Sequence, residues 1–210
     1  MTRFYAAYHL FKQFSKTLLH FLYPTVCLHC EGEVKKPSQL LCKQCLGQVE
    51  WLQRGCVYCS ASVESGRICA SCLKHPLYLQ PHASLFPSLG PISFLYTDFL
   101  HTGHVDALAA FFILGLHYFP SIPAPDCIVP LLQPRYEGFV LKKQSAALLA
   151  QRVAKFLKCP IYLPGNRIEG KIVLLITDWL DDAKKLYFQK QNLNQFFPKK
   201  IYSVALIDTR

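Results

Sequence analysis

No apolar run in the sequence is long enough to cross a bilayer. The longest, residues 107–119, covers 13 residues, whereas a spanning helix needs about 20; it reads as a buried core helix. An export signal is not expected either. Residues 1–23 carry Arg3, His9, Lys12, Lys16 and His20, which interrupt any apolar signal core, and no small-residue cleavage site follows. Charge is sparse, at 17% of residues, and acids are sparser, with 13 against 23 Lys plus Arg and a formal net charge of +10. With 51% apolar residues, the composition excludes a disordered chain, an acidic tail, a collagen and a coiled coil. The 210 residues suffice for a real core, in one large domain or two small ones.

Cysteine is nearly absent from most of the chain and dense in one stretch. Of ten cysteines, only Cys127 and Cys159 lie beyond residue 72. The other eight form four C-x-x-C pairs: Cys27/Cys30, Cys42/Cys45, Cys56/Cys59 and Cys69/Cys72. A secreted disulfide module would need an export signal, so reduced thiols in the cytoplasm are expected. Each C-x-x-C knuckle offers two thiolates to a tetrahedral metal, and four knuckles make two zinc sites of four cysteines each. Sites with four thiolate ligands leave no open coordination position, so the zinc is structural. Sequential pairing is the simplest, with loops of 11 residues (31–41) and 9 residues (60–68), but a crossed pairing is also compatible with the spacing. Buried or redox cysteines without metal are the competing reading. His29 is expected to be a bystander. Eight thiolates and two Zn²⁺ together carry −4, which lowers the formal +10 to about +6.

Three segments flank or follow the cysteines. Residues 1–23 read as an amphipathic leader helix, with Phe4, Tyr8, Phe11, Leu18 and Leu22 on one side and Arg3, Lys12 and Lys16 between them. Residues 24–76 hold the double zinc ribbon. Residues 77–93 read as a proline-rich linker, because prolines 76, 81, 87 and 91 resist helix and supply turns. From residue 94 to 210, helical patterns over 104–119, 141–157 and 181–196 alternate with apolar runs at 126–132, 160–163, 171–177 and 201–207. Alternation of this kind predicts an α/β domain with a parallel sheet and flanking helices.

Several stretches are similar to the ComF family of competence proteins, in which a double zinc ribbon precedes a type I phosphoribosyltransferase-like domain. LLHFLYPTVCLHC (18–30) resembles the family's leader into its first knuckle. IVPLLQPR (128–135) resembles a strand ending in Pro-Leu-His-Pro-Arg, with Gln133 in place of His. QSAALLA (144–150) resembles the start of a family helix, and IYSVALIDT (201–209) its last strand. VLLITDWLDDAKKL (173–186) aligns without gaps with the family's diphosphate-sugar loop.

The departures fall where that chemistry would be. The family pattern has two acids after the strand and then a Thr-Thr-Gly-x-Thr turn that cradles the 5′-phosphate with backbone N–H groups. Here Thr177 replaces the first acid and Asp178 remains as a remnant, while Asp181, Asp182, Ala183, Lys184 and Lys185 replace the turn. Loss of the glycine removes close backbone approach, and two carboxylates repel a dianion. The family's Arg-Gly-Phe-Asn-Gln becomes Val140 to Gln144, and LAAFFILG (108–115) lacks the expected Lys. The resemblance therefore implies a phosphoribosyltransferase-like fold whose catalytic site has been lost. Asp178 is either that remnant or a cap for the next helix.

Positive residues cluster at Arg135, Lys142, Lys143, Arg152, Lys155 and Lys158, and again at Lys184, Lys185, Lys190, Lys199 and Lys200. With Tyr136, Phe139 or Tyr187 as stacking partners, these fit a single-stranded nucleic acid; the plain alternative is solvated helix faces. His101, His104 and Asp106 are a weaker metal candidate. Together with the resemblance, these features lead to an expected role in DNA uptake, handling single-stranded DNA on the cytoplasmic side. Peripheral attachment at the inner membrane and contact with a competence helicase or channel are further expectations. The alternatives are an active phosphoribosyltransferase using Mg²⁺ and phosphoribosyl diphosphate with a nucleobase or amine, and a zinc-dependent protein-interaction module.

Overall fold

The computed structural model describes residues 26–36, 38–52, 56, 68–74, 82–118, 122–131, 145–162, 167–181 and 183–209. The chain divides into two compact units between Val49 and Glu50. The leader helix expected over 1–23 lies outside the described residues.

In the first unit, Val26 and Glu33 form an antiparallel bridge, and a short helix, α1 (Lys43–Gly47), begins immediately after Cys42. Among its described residues the buried side chains are Cys27, Val34, Leu41 and Cys45, so the cysteines form half of that set.

The second unit contains α2 (Ala70–Lys74), β1 (His82–Pro87), α3 (Pro91–Thr102), α4 (Asp106–His117), β2 (Cys127–Pro130), α5 (Ser145–Leu157), β3 (Ile172–Leu180), α6 (Ala183–Asn194) and β4 (Lys200–Asp208). Its four strands form one sheet in the order β1-β4-β3-β2. Every pairing is parallel, with registers such as Ser84 to Ala205, Leu175 to Ser203 and Val129 to Leu175. The runs of β3 and β4 are buried almost without interruption, as strands covered on both faces must be. Cys127, Val129, Val173, Leu175, Ile201 and Ala205 form a core with Leu186 and Leu193 of α6. Helix α5 packs on β2 and β3 through Ala146, Leu149, Ala150, Val153 and Ala154, an i, i+3, i+4, i+7, i+8 stripe.

The expected linker is where the structure departs most from the sequence reading. Residues 82–87 are strand β1, and α3 starts at Pro91. Among the described residues strand β1 pairs only with β4, and an edge strand tolerates a proline at its end such as Pro87. Pro91 occupies the first turn of α3, Gly90 (φ 96) precedes it, and Gly103 (φ 77) closes the helix in the left-handed conformation. Proline at the start and glycine just past the end is the usual helix asymmetry, so these prolines mark element ends. The strand expected over 160–163 is a single bridge from Ile161 to Ile128 among the described residues. Strand β3 continues three residues beyond Thr177, to Leu180.

Helix α4 lies close against β1 because residue 115 is glycine. A Cβ there would meet Leu85 Cδ1 at 2.7 Å and Trp51 Cζ3 at 3.0 Å. Trp51 itself packs on Phe86 and Tyr118, with ring centroids 4.5 and 4.9 Å away, and the Leu52 N–H donates to the Leu85 carbonyl at 2.9 Å. The chain just before the second cysteine group is thereby fastened to the sheet's edge strand.

Candidate metal centres

The sulfurs of Cys27, Cys30, Cys42 and Cys45 all lie within 4.8 Å of one another. Zn–S bonds of about 2.3 Å in a tetrahedron place sulfurs about 3.8 Å apart, and Cys30 Sγ and Cys42 Sγ are 3.8 Å apart. The set therefore fits zinc. Local backbone builds it: the Cys27 N–H donates to the Gly32 carbonyl at 2.8 Å, and the Leu28 N–H to the Leu40 carbonyl at 3.0 Å. The first bond closes one knuckle and the second ties it to the other. The Cys42 N–H points at Cys27 Sγ (3.3 Å) and the Cys45 N–H at Cys42 Sγ (3.4 Å).

These N–H groups also set the thiol chemistry. Burial raises the Cys27 pKa, but the backbone N–H groups of Cys30, Cys42 and His29 outweigh it and bring it down to about 6. At Cys45, burial and the neighbouring thiols push the other way, upward. Metal binding resolves that conflict, since a coordinating thiol is held deprotonated. His29 Nδ1 lies 3.1 Å from Cys45 Sγ, which makes it a hydrogen-bond partner of a ligand.

Cys56, Cys69 and Cys72 form a second group; their expected partner Cys59 lies outside the described residues. The bonding pattern repeats, with the Cys69 N–H on Cys56 Sγ (3.2 Å) and the Cys72 N–H on Cys69 Sγ (3.4 Å). The first knuckle thus joins the second, and Cys56 of the third joins the fourth, which is the sequential pairing. The protein carries two sites of the four-cysteine, structural kind. Among the described residues His101, His104 and Asp106 do not gather as a metal set; Asp106 pairs with Arg152 at 2.5 Å.

Asp178 sits inside β3, only 4% exposed, and accepts a 2.7 Å hydrogen bond from the Tyr96 hydroxyl of α3. Tyr96 stacks on Trp179 with centroids 5.3 Å apart, and burial followed by the Asp178 charge pushes its phenol pKa upward. The carboxylate is therefore neither open to a sugar nor a cap for α6. Sequence reasoning missed Tyr96; its one signal is that a tyrosine in an apolar helix needs a polar partner. A second buried polar network joins β1 to β4. Ser84 donates to Asp208 at 2.5 Å and lies 3.1 Å from His82 Nε2, while His82 Nδ1 lies 2.8 Å from Ser203 Oγ. Ser84 donates its proton to Asp208, so it accepts from His82 and the imidazole carries a proton on Nε2.

Of the expected nucleic-acid contacts, Lys184 and Lys185 are exposed on α6, and Lys185 pairs with Asp181 one turn back at 3.0 Å. Lys190, grouped with them by sequence, is buried. Arg135, Lys142 and Lys143 lie outside the described residues. No helix among the described residues is long and apolar enough to cross a membrane.

Comparison with known families agrees with the cysteine geometry. No curated protein matches the chain. A family described as the double zinc ribbon domain matches residues 18–74, a span that contains all eight paired cysteines, and over that span the chain is similar to that domain.

Proposed function

We propose that this is a ComF-like DNA-uptake protein that handles single-stranded DNA on the cytoplasmic side, its α/β domain serving as a scaffold without phosphoribosyl transfer. The observation that carries the scaffold reading is the closure of Asp178 under Tyr96, where an open carboxylate would have to meet ribose hydroxyls. The order of parts supports the family assignment: a double zinc ribbon match at 18–74 followed by a four-stranded parallel sheet. Exposed Lys184 and Lys185 and the excess of basic residues supply phosphate contacts. The test is fluorescence anisotropy of a labelled oligo-dT with zinc-loaded protein at two salt concentrations, with and without Mg-phosphoribosyl diphosphate. The proposal expects affinity that falls steeply with salt and ignores the competitor. No salt-sensitive binding sinks the DNA role, and competition by the diphosphate sinks the scaffold role.

One observation favours a second reading, a docking module. Each ribbon places a leucine directly after its last cysteine, Leu46 and Leu73, and both are well exposed, at 52% and 66%. Apolar knobs of this kind suit a protein partner such as a competence helicase or channel. If Leu46→Ser with Leu73→Ser abolishes capture of such a partner and spares DNA binding, docking is the ribbons' task.

A further inference from the structure

We propose that Cys30 and Cys42 are a peroxide-reactive dithiolate, oxidised to a disulfide with release of zinc from the first site. Cys30 is exposed and Cys42 partly so. A surface hollow of about 320 Å³ opens beside Cys30 and Cys42, with Lys35 and Lys43 on its wall. A small oxidant therefore has room to reach these two sulfurs, and the ammonium groups favour a leaving hydroxide. Thiolate nucleophilicity adds to access. Cys27 and Cys42 each receive a backbone N–H, while among the described residues no hydrogen bond from a backbone N–H to Cys30 Sγ is present; its neighbour is Cys42 Sγ at 3.8 Å. Oxidation follows thiolate character and exposure together.

The chemistry balances with hydrogen peroxide as oxidant. Cys30 thiolate attacks one peroxide oxygen, the O–O bond breaks, and the departing hydroxide takes a proton to leave as water. The resulting sulfenic acid is attacked at sulfur by Cys42 thiolate; the S–O bond breaks and a second water leaves with a second proton. Two thiolates, one peroxide and two protons become one disulfide and two waters, with two electrons passing from sulfur to oxygen. The sulfurs close from 3.8 Å to a bond of about 2.05 Å. Zinc then keeps two ligands of four and dissociates.

The experiment treats full-length protein carrying two zinc equivalents with hydrogen peroxide. Released metal is followed with a chromogenic chelator, and disulfides are mapped by peptide mass spectrometry after alkylation. The expected result is zinc release accompanied by a Cys30–Cys42 disulfide, with Cys27 and Cys45 recovered as alkylated thiols. Cys127→Ser should leave the release unchanged. Cys30→Ser should remove the disulfide, and because that variant can also weaken the site, the mapped disulfide of the wild type decides. No release, or a disulfide that joins Cys30 or Cys42 to any other cysteine, overturns the proposal.

Discussion

Residues 26–49 and the parallel sheet reach a folded state by different routes. Among its described residues the first ribbon buries Val34 and Leu41 beside Cys27 and Cys45, and four sulfurs gather within 4.8 Å. The sheet buries Leu174, Leu175, Ile176, Val204 and Leu206 at 1% exposure or less. Coordination bonds contribute folding energy outright in small zinc-binding segments. The ribbon's chemistry lies near the surface, since Cys30 is exposed, while polar groups in the sheet are enclosed and paired, as at Asp178 and Ser84.

Removing zinc is the largest perturbation available to this comparison. Structural zinc contributes about 10–16 kcal/mol in small zinc domains. A strong chelator should therefore abolish amide protection over 26–49 in hydrogen exchange and leave β3 and β4 protected; joint loss of both would erase the distinction. Leu175→Ala works from the other side. It empties a fully buried position in the central strands and should lower stability to urea by about 2–5 kcal/mol, with zinc stoichiometry still at two per chain.

Smaller effects probe the enclosed polar groups. Tyr96→Phe withdraws the 2.7 Å hydrogen bond from Asp178 and should cost about 1–3 kcal/mol; an unchanged midpoint would mean that the pair does not fasten α3 to β3. Burial lowers Lys190 from 10.5 to about 7. Its folded pKa lies below the unfolded one, so stability rises with pH between about 7 and 10.5 and the full penalty is present below 7. Lys190→Met removes the titrating group, so its stability should rise less than the wild type's between about pH 7 and 10.5. Parallel stability-against-pH curves for the two would show that Lys190 does not titrate in that window.

The contrast also explains what can be read from the sequence. The C-x-x-C knuckles are legible because the motif places two ligands within one turn. Knuckle pairing is not, since it depends on how the 31–41 loop folds back through the Leu28–Leu40 hydrogen bond. Strands β2, β3 and β4 announce themselves as apolar runs. Strand β1 is hidden because Pro87 and Pro91 resemble a linker until β4 is seen beside them. Tyr96 and Asp178 are 82 residues apart, and no local pattern links them. Lys190 looks like part of a basic surface, yet α6 turns it inward.

The scaffold account meets its most direct test in calorimetric titration of Mg-phosphoribosyl diphosphate into zinc-loaded protein. With Asp178 enclosed beneath Tyr96, the account predicts no saturable heat and no rise in Tm. Micromolar binding would contradict it, and would mean that the altered 177–185 segment still opens into a sugar-phosphate site.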